Sequence, residues 1–431
     1  MRVVVVGGGV AGVSAALAAS SRGAATTLFD PRKAGASKAL LPQLISDPWV
    51  REDALVMAER LAEAGVELRA ERVSAVAHEA KRILVGPPGH QEGSLAYDSL
   101  VICTGASSQA PQVKGVSKQG VFVLNEPADY LRLSASLDGL SRVAVSGPVP
   151  LALKLGELVA ARGPKVEVFC GKGGLDRQFS RPVADVLRRA ASLSVVEGAL
   201  ESVLGVERAE AVVSGGSIHA CDGVVIAPTS SPSYPAVDCQ KGRGGGLLVD
   251  SSMRTSLPRV FAAGDAAEMR WRSGSVPARL FSTSLAGGEV AGANAAGGRE
   301  LAAPSWAVEQ TYFGLETCSA GLGEEDALAM GLDVGVASTV SGDGRGKDVV
   351  VSMVYDASTH QVYGLKAAGW RASSLSSAAS IIVSLGLHAE QLVHLESPYS
   401  PGRTYESSPI GLTASKIASG MRRLEAPSLG L

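Results

Sequence analysis

A chain of 431 residues with 40 basic and 42 acidic side chains has a net charge of −2, which excludes nucleic acid and a charged membrane surface as the main partners. The hydrophobic share of 46% supports two or three buried cores, and no clean apolar run of roughly 18 residues suggests a membrane span. Cys103, Cys170, Cys221, Cys239 and Cys318 are scattered without a CxxC, and His78, His90, His219, His360, His388 and His394 form no local ligand set. No metal site and no disulfide framework are therefore expected, and a cytoplasmic location follows from the thiols and from a chain that opens on a strand rather than a signal-type segment.

The dense β-branched run at Val3–Val6 reads as a buried strand ending in Gly7, Gly9 and Gly12. In this spacing the first glycine permits a sharp turn, the second lets backbone approach a pyrophosphate, and the third lets the following helix pack close to the strand. Val10 and Ala11 open that helix, whose N-terminus would face phosphate. Asp30, closing the next apolar run, is the expected acceptor for adenosine ribose hydroxyls. Tight packing without any ligand is the alternative reading of the same glycines.

Beyond a loop from Lys33 lies the apolar patch Ala39-Leu40-Leu41-Pro42, and Trp49 to Gly65 has the period of an amphipathic helix stopped by glycine. Short strands at 66–68, 72–77 and 82–85 suggest a small antiparallel insertion. The strand Leu100–Cys103 is closed by Thr104, Gly105 and Ala106 against whatever the first glycine turn holds. From Leu140 the order strand, glycine turn, helix, strand returns, an internal repeat with a poor sequence match. Its triplet is Gly147, Val149 and Ala152, and Cys170 replaces the acid at the end of its second strand. A neutral thiol cannot accept two ribose hydrogen bonds as a carboxylate does. Either Lys172 or Arg177 meets a 2′-phosphate there, or the unit holds a nicotinamide cofactor poorly or not at all.

A helix is expected over 178–191 and short strands over 192–238. Pro235 and the glycines at 242, 244, 245 and 246 mark a return to the first domain. The strand Val260–Ala263 leads into Gly264 and Asp265, which can set a carboxylate against ligand hydroxyls; a capping aspartate without ligand is the alternative. Asp30 and Asp265 are expected to converge on one ligand. Arg270-Trp271-Arg272 reads as an exposed loop, and Leu280–Ala296 as a small-residue helix suited to packing beneath a flat ligand. From about residue 304 alternating strands and a Ser/Ala-rich helix over 374–385 indicate an α+β domain.

The Gly7–Gly12 turn, Asp30, the stretch Tyr97–Ala106 and the stretch Thr255–Asp265 together resemble the FAD-dependent pyridine nucleotide–disulfide oxidoreductase superfamily. Gly321-Leu322, Glu324-Glu325 and the tail Ser397–Pro401 are most similar to its NADH oxidase and coenzyme A-disulfide reductase branch. The resemblance implies an α/β chain with two Rossmann-like domains, one FAD-type and one NAD(P)H-type, and a C-terminal α+β dimerisation domain. The expected bounds are 1–110 and 240–303 for the FAD domain, 111–239 for the NAD(P)H-like domain and 304–431 for the last. FAD is the implied cofactor, with NAD(P)H as a second. The cofactor residues are Gly7, Gly9, Val10, Ala11, Gly12, Asp30, Thr104, Gly105, Gly264 and Asp265, with Gly147 and Lys172 in the second unit.

In such enzymes hydride passes from nicotinamide to flavin, and two electrons then leave to an acceptor. The branch begins a short motif near residue 40 with a redox cysteine, whereas this chain has Ala39. The implied acceptor is thus oxygen, a small oxidant or a carrier protein, reached without a cysteine relay. Tyr399 and Tyr405 fall where the branch places tyrosines near its substrate, and interface packing is their plainer role. A homodimer is implied. Two further readings are an FAD enzyme with a vestigial nicotinamide site and a non-catalytic flavoprotein subunit.

Overall fold

The computed structural model describes residues 1–32, 38–46, 59–87, 93–171, 173–191, 193–272, 274–342, 346–398, 405 and 407–420. The chain divides into two compact units, Met1–Gln109 with Thr229–Pro304, and Ala110–Pro228 with Ser305–Leu431.

The first unit is built on a five-stranded sheet in the order Val260–Ala262, Ser99–Ile102, Arg2–Val6, Ala25–Phe29, Glu67–Arg69, and each neighbouring pair is parallel. Val3, Val4 and Val5 are fully buried, the pattern of a central strand covered on both faces. The register running from Arg2 opposite Ala25 to Val6 opposite Phe29 delivers Gly7 and Asp30 to the same edge of the sheet. The helix Val10–Ser21 packs on the helix Phe281–Ala295 through glycine. A Cβ on Gly288 would lie 2.2 Å from the Ala11 carbonyl oxygen, and one on Gly292 would lie 2.0 Å from that of Ala15. Gly288 and Gly292 therefore serve helix–helix contact, while Phe281 and Ser284 at the start of the same helix border a cleft in the first unit.

The strands Val73–Ala77, Arg82–Val85 and Gly93–Ala96 form the anticipated antiparallel insertion. Most of the helix expected over 49–65 lies outside the described residues; 59–63 are helical and Gly65 follows at φ +69°. The chain is back in the first unit at Thr229 rather than at residue 240, because Ser230–Pro232 pairs with Ala106–Ser108. The glycines after 240 have another task. Gly244 and Gly246 donate their N–H groups to the buried Glu268 carboxylate at 2.9 and 3.3 Å, and a Cβ on Gly242 would lie 2.2 Å from its carboxyl carbon. Arg270 and Trp271 belong to a hairpin, Ala267–Trp271 with Gly274–Pro277, rather than to a loop.

The second unit repeats the architecture with the parallel order Ser194–Val196, Lys165–Phe169, Arg142–Ser146, Gly223–Ile226, Val121–Val123. The single helix expected over 178–191 is two, Gly174–Phe179 and Arg181–Ala190, divided at Ser180 with φ +65°. Pro182 explains the break, since proline lacks the N–H an interior turn needs and is tolerated in a first turn. The C-terminal part is a five-stranded antiparallel sheet, Val308–Tyr312, Leu315–Gly321, Val362–Gly369, Val349–Asp356, Val334–Ser341. Ile382 of the helix Ser376–Leu385 and Ile417 of the helix Pro409–Ala418 join its core. Among the described residues no helix is long and apolar enough to cross a membrane.

Candidate cofactor site

The three glycines of the first turn do different work. Gly7 sits at φ +104°, and a Cβ there would lie 2.3 Å from the Cys103 carbonyl oxygen; a Cβ on Gly12 would lie 1.8 Å from the oxygen of Gly7. Both are demanded by the backbone crossing itself. Gly9 has no atom within 4 Å of its Cβ position, so it faces open space. It is the N-cap of the helix Val10–Ser21 without a side-chain cap, and the first-turn N–H groups of Val10, Ala11 and Gly12 have no helical acceptor.

Gly9, Val10, Ala11, Thr104, Gly105, Gly264 and Asp265 line one cleft in the first unit. The Thr104 hydroxyl donates to the Ser233 carbonyl, and the Ser233 N–H donates to that of Gly105 at 3.0 Å, which fixes the wall after strand Ser99–Ile102. Gly264, at φ +69°, would place a Cβ 3.0 Å from that of Ala11, so the turn carrying Asp265 closes directly on the first glycine turn. Arg32, Arg279 and Phe281 join the lining and were not anticipated. The helix Phe281–Ala295 also lacks a side-chain cap at its N-terminus. Two uncapped helix N-termini and two guanidinium groups on one cleft favour a diphosphate.

Asp30 is 5% exposed. One oxygen accepts the Gly8 N–H at 2.6 Å, the other accepts the Arg32 N–H at 2.8 Å, and the Arg32 guanidinium lies 3.3 Å away. The carboxylate therefore also holds the glycine turn in shape. The Arg32 side chain is 64% exposed and can swing aside, freeing lone pairs for ribose hydroxyls. Asp30 and Asp265 do not converge on a point. Strands Arg2–Val6 and Ser99–Ile102 stand between their strands, a separation on the order of 14 Å, which suits the two ends of an extended dinucleotide with its pyrophosphate at Gly9. FAD fits this cleft: the space beside Gly9 is one that a Cβ would fill.

The second turn differs. Gly147 is tied to the fold, since its Cβ would lie 2.7 Å from the Ala227 carbonyl oxygen, and Val149 puts an isopropyl group where Gly9 leaves space. This turn does not fit a pyrophosphate. Arg177 pairs with Glu325 at 3.3 Å and lies 3.9 Å from Asp326; Lys172 lies outside the described residues, as does Tyr399. Tyr405 donates its hydroxyl to the Trp370 carbonyl, and burial pushes its phenol well above the ordinary range. All five cysteines are buried and unpaired. Cys103 borders the cleft, and burial pushes its thiol up to about 12. Among the described residues no group of acidic, histidine and cysteine side chains could hold a metal.

Residues 1–283 match the family described as pyridine nucleotide-disulphide oxidoreductase, and residues 308–402 match its dimerisation domain. The chain is 27% identical over 337 residues to the NAD(P)H sulfur oxidoreductase (CoA-dependent) of Pyrococcus furiosus, covering 72% of this chain and 74% of that protein. It is 25% identical over 351 residues to the NADH oxidase of Methanocaldococcus jannaschii, covering 75% and 76%. In fold it is similar to the NAD-dependent persulfide reductase of A. fulgidus, with a TM-score of 0.82 at 23% identity over 98% of this chain and 83% of that one. The water-forming NADH oxidase of Lactobacillus brevis gives 0.84 at 18% identity over 98% and 100%. The chain thus belongs to the pyridine nucleotide-disulphide oxidoreductase family and is an FAD-dependent oxidoreductase.

Proposed function

We propose that this protein passes electrons from bound FAD straight to an acceptor, without a thiol relay. The observation that carries this reading is the state of its thiols beside an open cofactor cleft. Ala39 stands where the branch it resembles has its redox cysteine, and Cys103, the cysteine that borders the cleft, is held protonated by burial. A protonated, enclosed thiol is a poor nucleophile toward a disulfide. When bound, FAD supplies reversible one- and two-electron chemistry. The protein's own part is to hold the pyrophosphate on the N–H groups after Gly9, to steady the adenosine end at Asp30 and the ribityl end at Asp265, and to balance anionic charge with Arg32 and Arg279. The acceptor class that remains is oxygen, a small oxidant or a carrier protein.

For the donor, the relative from Pyrococcus furiosus is named for NAD(P)H. Here Val149 in the second glycine turn favours a donor that reaches the flavin directly. The dimerisation-domain match supports a homodimer, and unpaired buried thiols support a reducing compartment such as the cytoplasm.

The test is reoxidation of the dithionite-reduced holoprotein by oxygen and by ferricyanide, compared with Cys103→Ser and Cys103→Ala. Equal reoxidation rates in all three support the reading. A loss of reoxidation in both variants at unchanged FAD content would overturn it.

A further inference from the structure

The two parallel sheets share a register, Arg2 to Val6 against Ala25 to Phe29 and Arg142 to Ser146 against Lys165 to Phe169, so their edges can be compared position by position. Gly7 and Gly147 are alike: each would drive a Cβ into a carbonyl at the end of the neighbouring strand. The positions that face a ligand are not. A Cβ built on Gly174 would lie 3.2 Å from a methyl of Val149 and 2.9 Å from the Cβ of Cys170. The start of the helix Gly174–Phe179 thus comes up against both the half-buried Val149 and the buried Cys170.

The chemistry around these residues agrees. The helix Val149–Ala160 begins after Pro148 and carries Pro150 in its first turn; neither proline has an N–H, so the donors that would hold a phosphate are depleted. Cys170 stands one residue beyond its strand, as Asp30 does, and its thiol is pushed up to about 11 by burial and by the charge of Glu197. Nearby, the single guanidinium of Arg188 is shared by Asp176, Asp185 and Glu197 at 2.7, 2.8 and 2.6 Å, an excess of carboxylate in this cluster of described residues, where a 2′-phosphate would need cations. The helix Gly174–Phe179 is also anchored from outside. Lys366 donates to the Gln178 carbonyl at 2.6 Å and Arg177 pairs with Glu325, while in the helix Val149–Ala160 Glu157 accepts the Phe313 N–H at 2.9 Å. These contacts tie the second Rossmann-like sheet to the C-terminal sheet within one compact unit.

We infer that the second Rossmann-like sheet is a closed dinucleotide site, plugged by Val149, Cys170 and Gly174 and retained as a framework, so that neither NADH nor NADPH docks on it. The inference builds on the FAD reading for the first unit but is tested apart from it.

Equilibrium dialysis of the full-length protein against NAD and NADP measures binding without requiring flavin chemistry, and an anaerobic titration of the yellow holoprotein with NADH and NADPH reads the flavin band. No saturable binding up to millimolar ligand and no saturable bleaching are expected. Val149→Gly/Cys170→Glu should gain at least tenfold in NAD affinity, with Val149→Ala as a milder replacement should the double variant fold poorly. Saturable sub-millimolar binding of either nucleotide by the parent protein would overturn the closure, whatever the variants do. A folded double variant that gains nothing would overturn the assignment of Val149 and Cys170 as the plug. A colourless protein that refuses FAD would instead sink the FAD reading and leave the dialysis result to decide this one.

Discussion

Gly9 and Gly12 are the same letter three positions apart, and their opposite surroundings give opposite consequences. At Gly12 a Cβ would sit 1.8 Å from the Gly7 carbonyl oxygen, so Gly12→Ala must force the helix off the strand and cost roughly 1–3 kcal/mol or more of stability. At Gly9 the backbone is in an ordinary extended conformation with φ −73° and the Cβ position is open. Gly9→Val should therefore leave the melting of the apoprotein nearly unchanged while lowering FAD affinity at least tenfold, about 1.4 kcal/mol. Thermal melts of both apoproteins beside FAD titrations separate the two; a destabilised Gly9→Val apoprotein or one with parental FAD affinity would contradict the placement. Asp356 offers a pH test. Burial works against its charge, but hydrogen bonds from Ser358, Tyr363 and Thr359 hold its carboxyl well below the ordinary 3.8. A depressed folded pKa means that the unfolded chain binds the proton first, so this stability is present above 3.8 and is lost as pH falls below it. Acid unfolding followed by circular dichroism should be shallower below pH 4 in Asp356→Asn than in the parent, with the variant less stable near neutrality.

Helix 281–295 shows what glycine does for an element. Each interior glycine lowers helix propensity by about 1 kcal/mol, so propensity alone says that alanine should stabilise the helix. The close approach to helix 10–21 reverses that sign at Gly288 and Gly292, whose Cβ atoms would meet the backbone of Ala11 and Ala15. Gly288→Ala and Gly292→Ala should each lose a net 1–2 kcal/mol or more in chemical denaturation, whereas Gly287→Ala, whose Cβ would meet the Met253 sulfur at 3.3 Å and the Ala263 Cβ at 3.8 Å, both side-chain atoms, should be neutral or mildly stabilising. A stabilised Gly288→Ala would show that the two helices are not in contact at that point. The same contrast explains what could be read in advance. The first glycine turn, the strands flanking it and the antiparallel insertion were legible because their signals are local in sequence. The division at Ser180 was legible only through Pro182, which the helical period of 178–191 overshadowed. Arg32 and Arg279 were not, since nothing local says that residues so distant in sequence border one cleft. Glu268 was hidden for the same reason: the glycine run that binds its carboxylate reads as a simple linker until the register of Leu247–Val249 against Ala267–Met269 is known.

At the scale of the whole molecule, the apolar side chains that the chain leaves in water argue for its assembly. Ile381 is 55% exposed and Leu385 is 68% exposed, and their four-residue spacing puts them on one face of the helix Ser376–Leu385, opposite the face that Ile382 and Ala379 bury in the C-terminal core. Leu412, on the helix Pro409–Ala418, is 42% exposed. Scattered exposed leucines need no explanation, but a paired apolar stripe on a helix of a domain that matches a dimerisation family is the material of a two-fold interface. Because such an interface repeats each residue on both copies, Ile381→Asp with Leu385→Asp removes four apolar side chains at once. At roughly 1.5 kcal/mol for each, this is on the order of 6 kcal/mol, or about four decades in Kd. Sedimentation of the parent at micromolar concentration should give twice the chain mass of 43.9 kDa, and the double variant should sediment as a monomer. The described residues that line the FAD cleft all belong to the first unit, so the variant should remain yellow. A parent that is monomeric at that concentration would overturn the dimer, and a variant that stays dimeric would move the interface away from this helix.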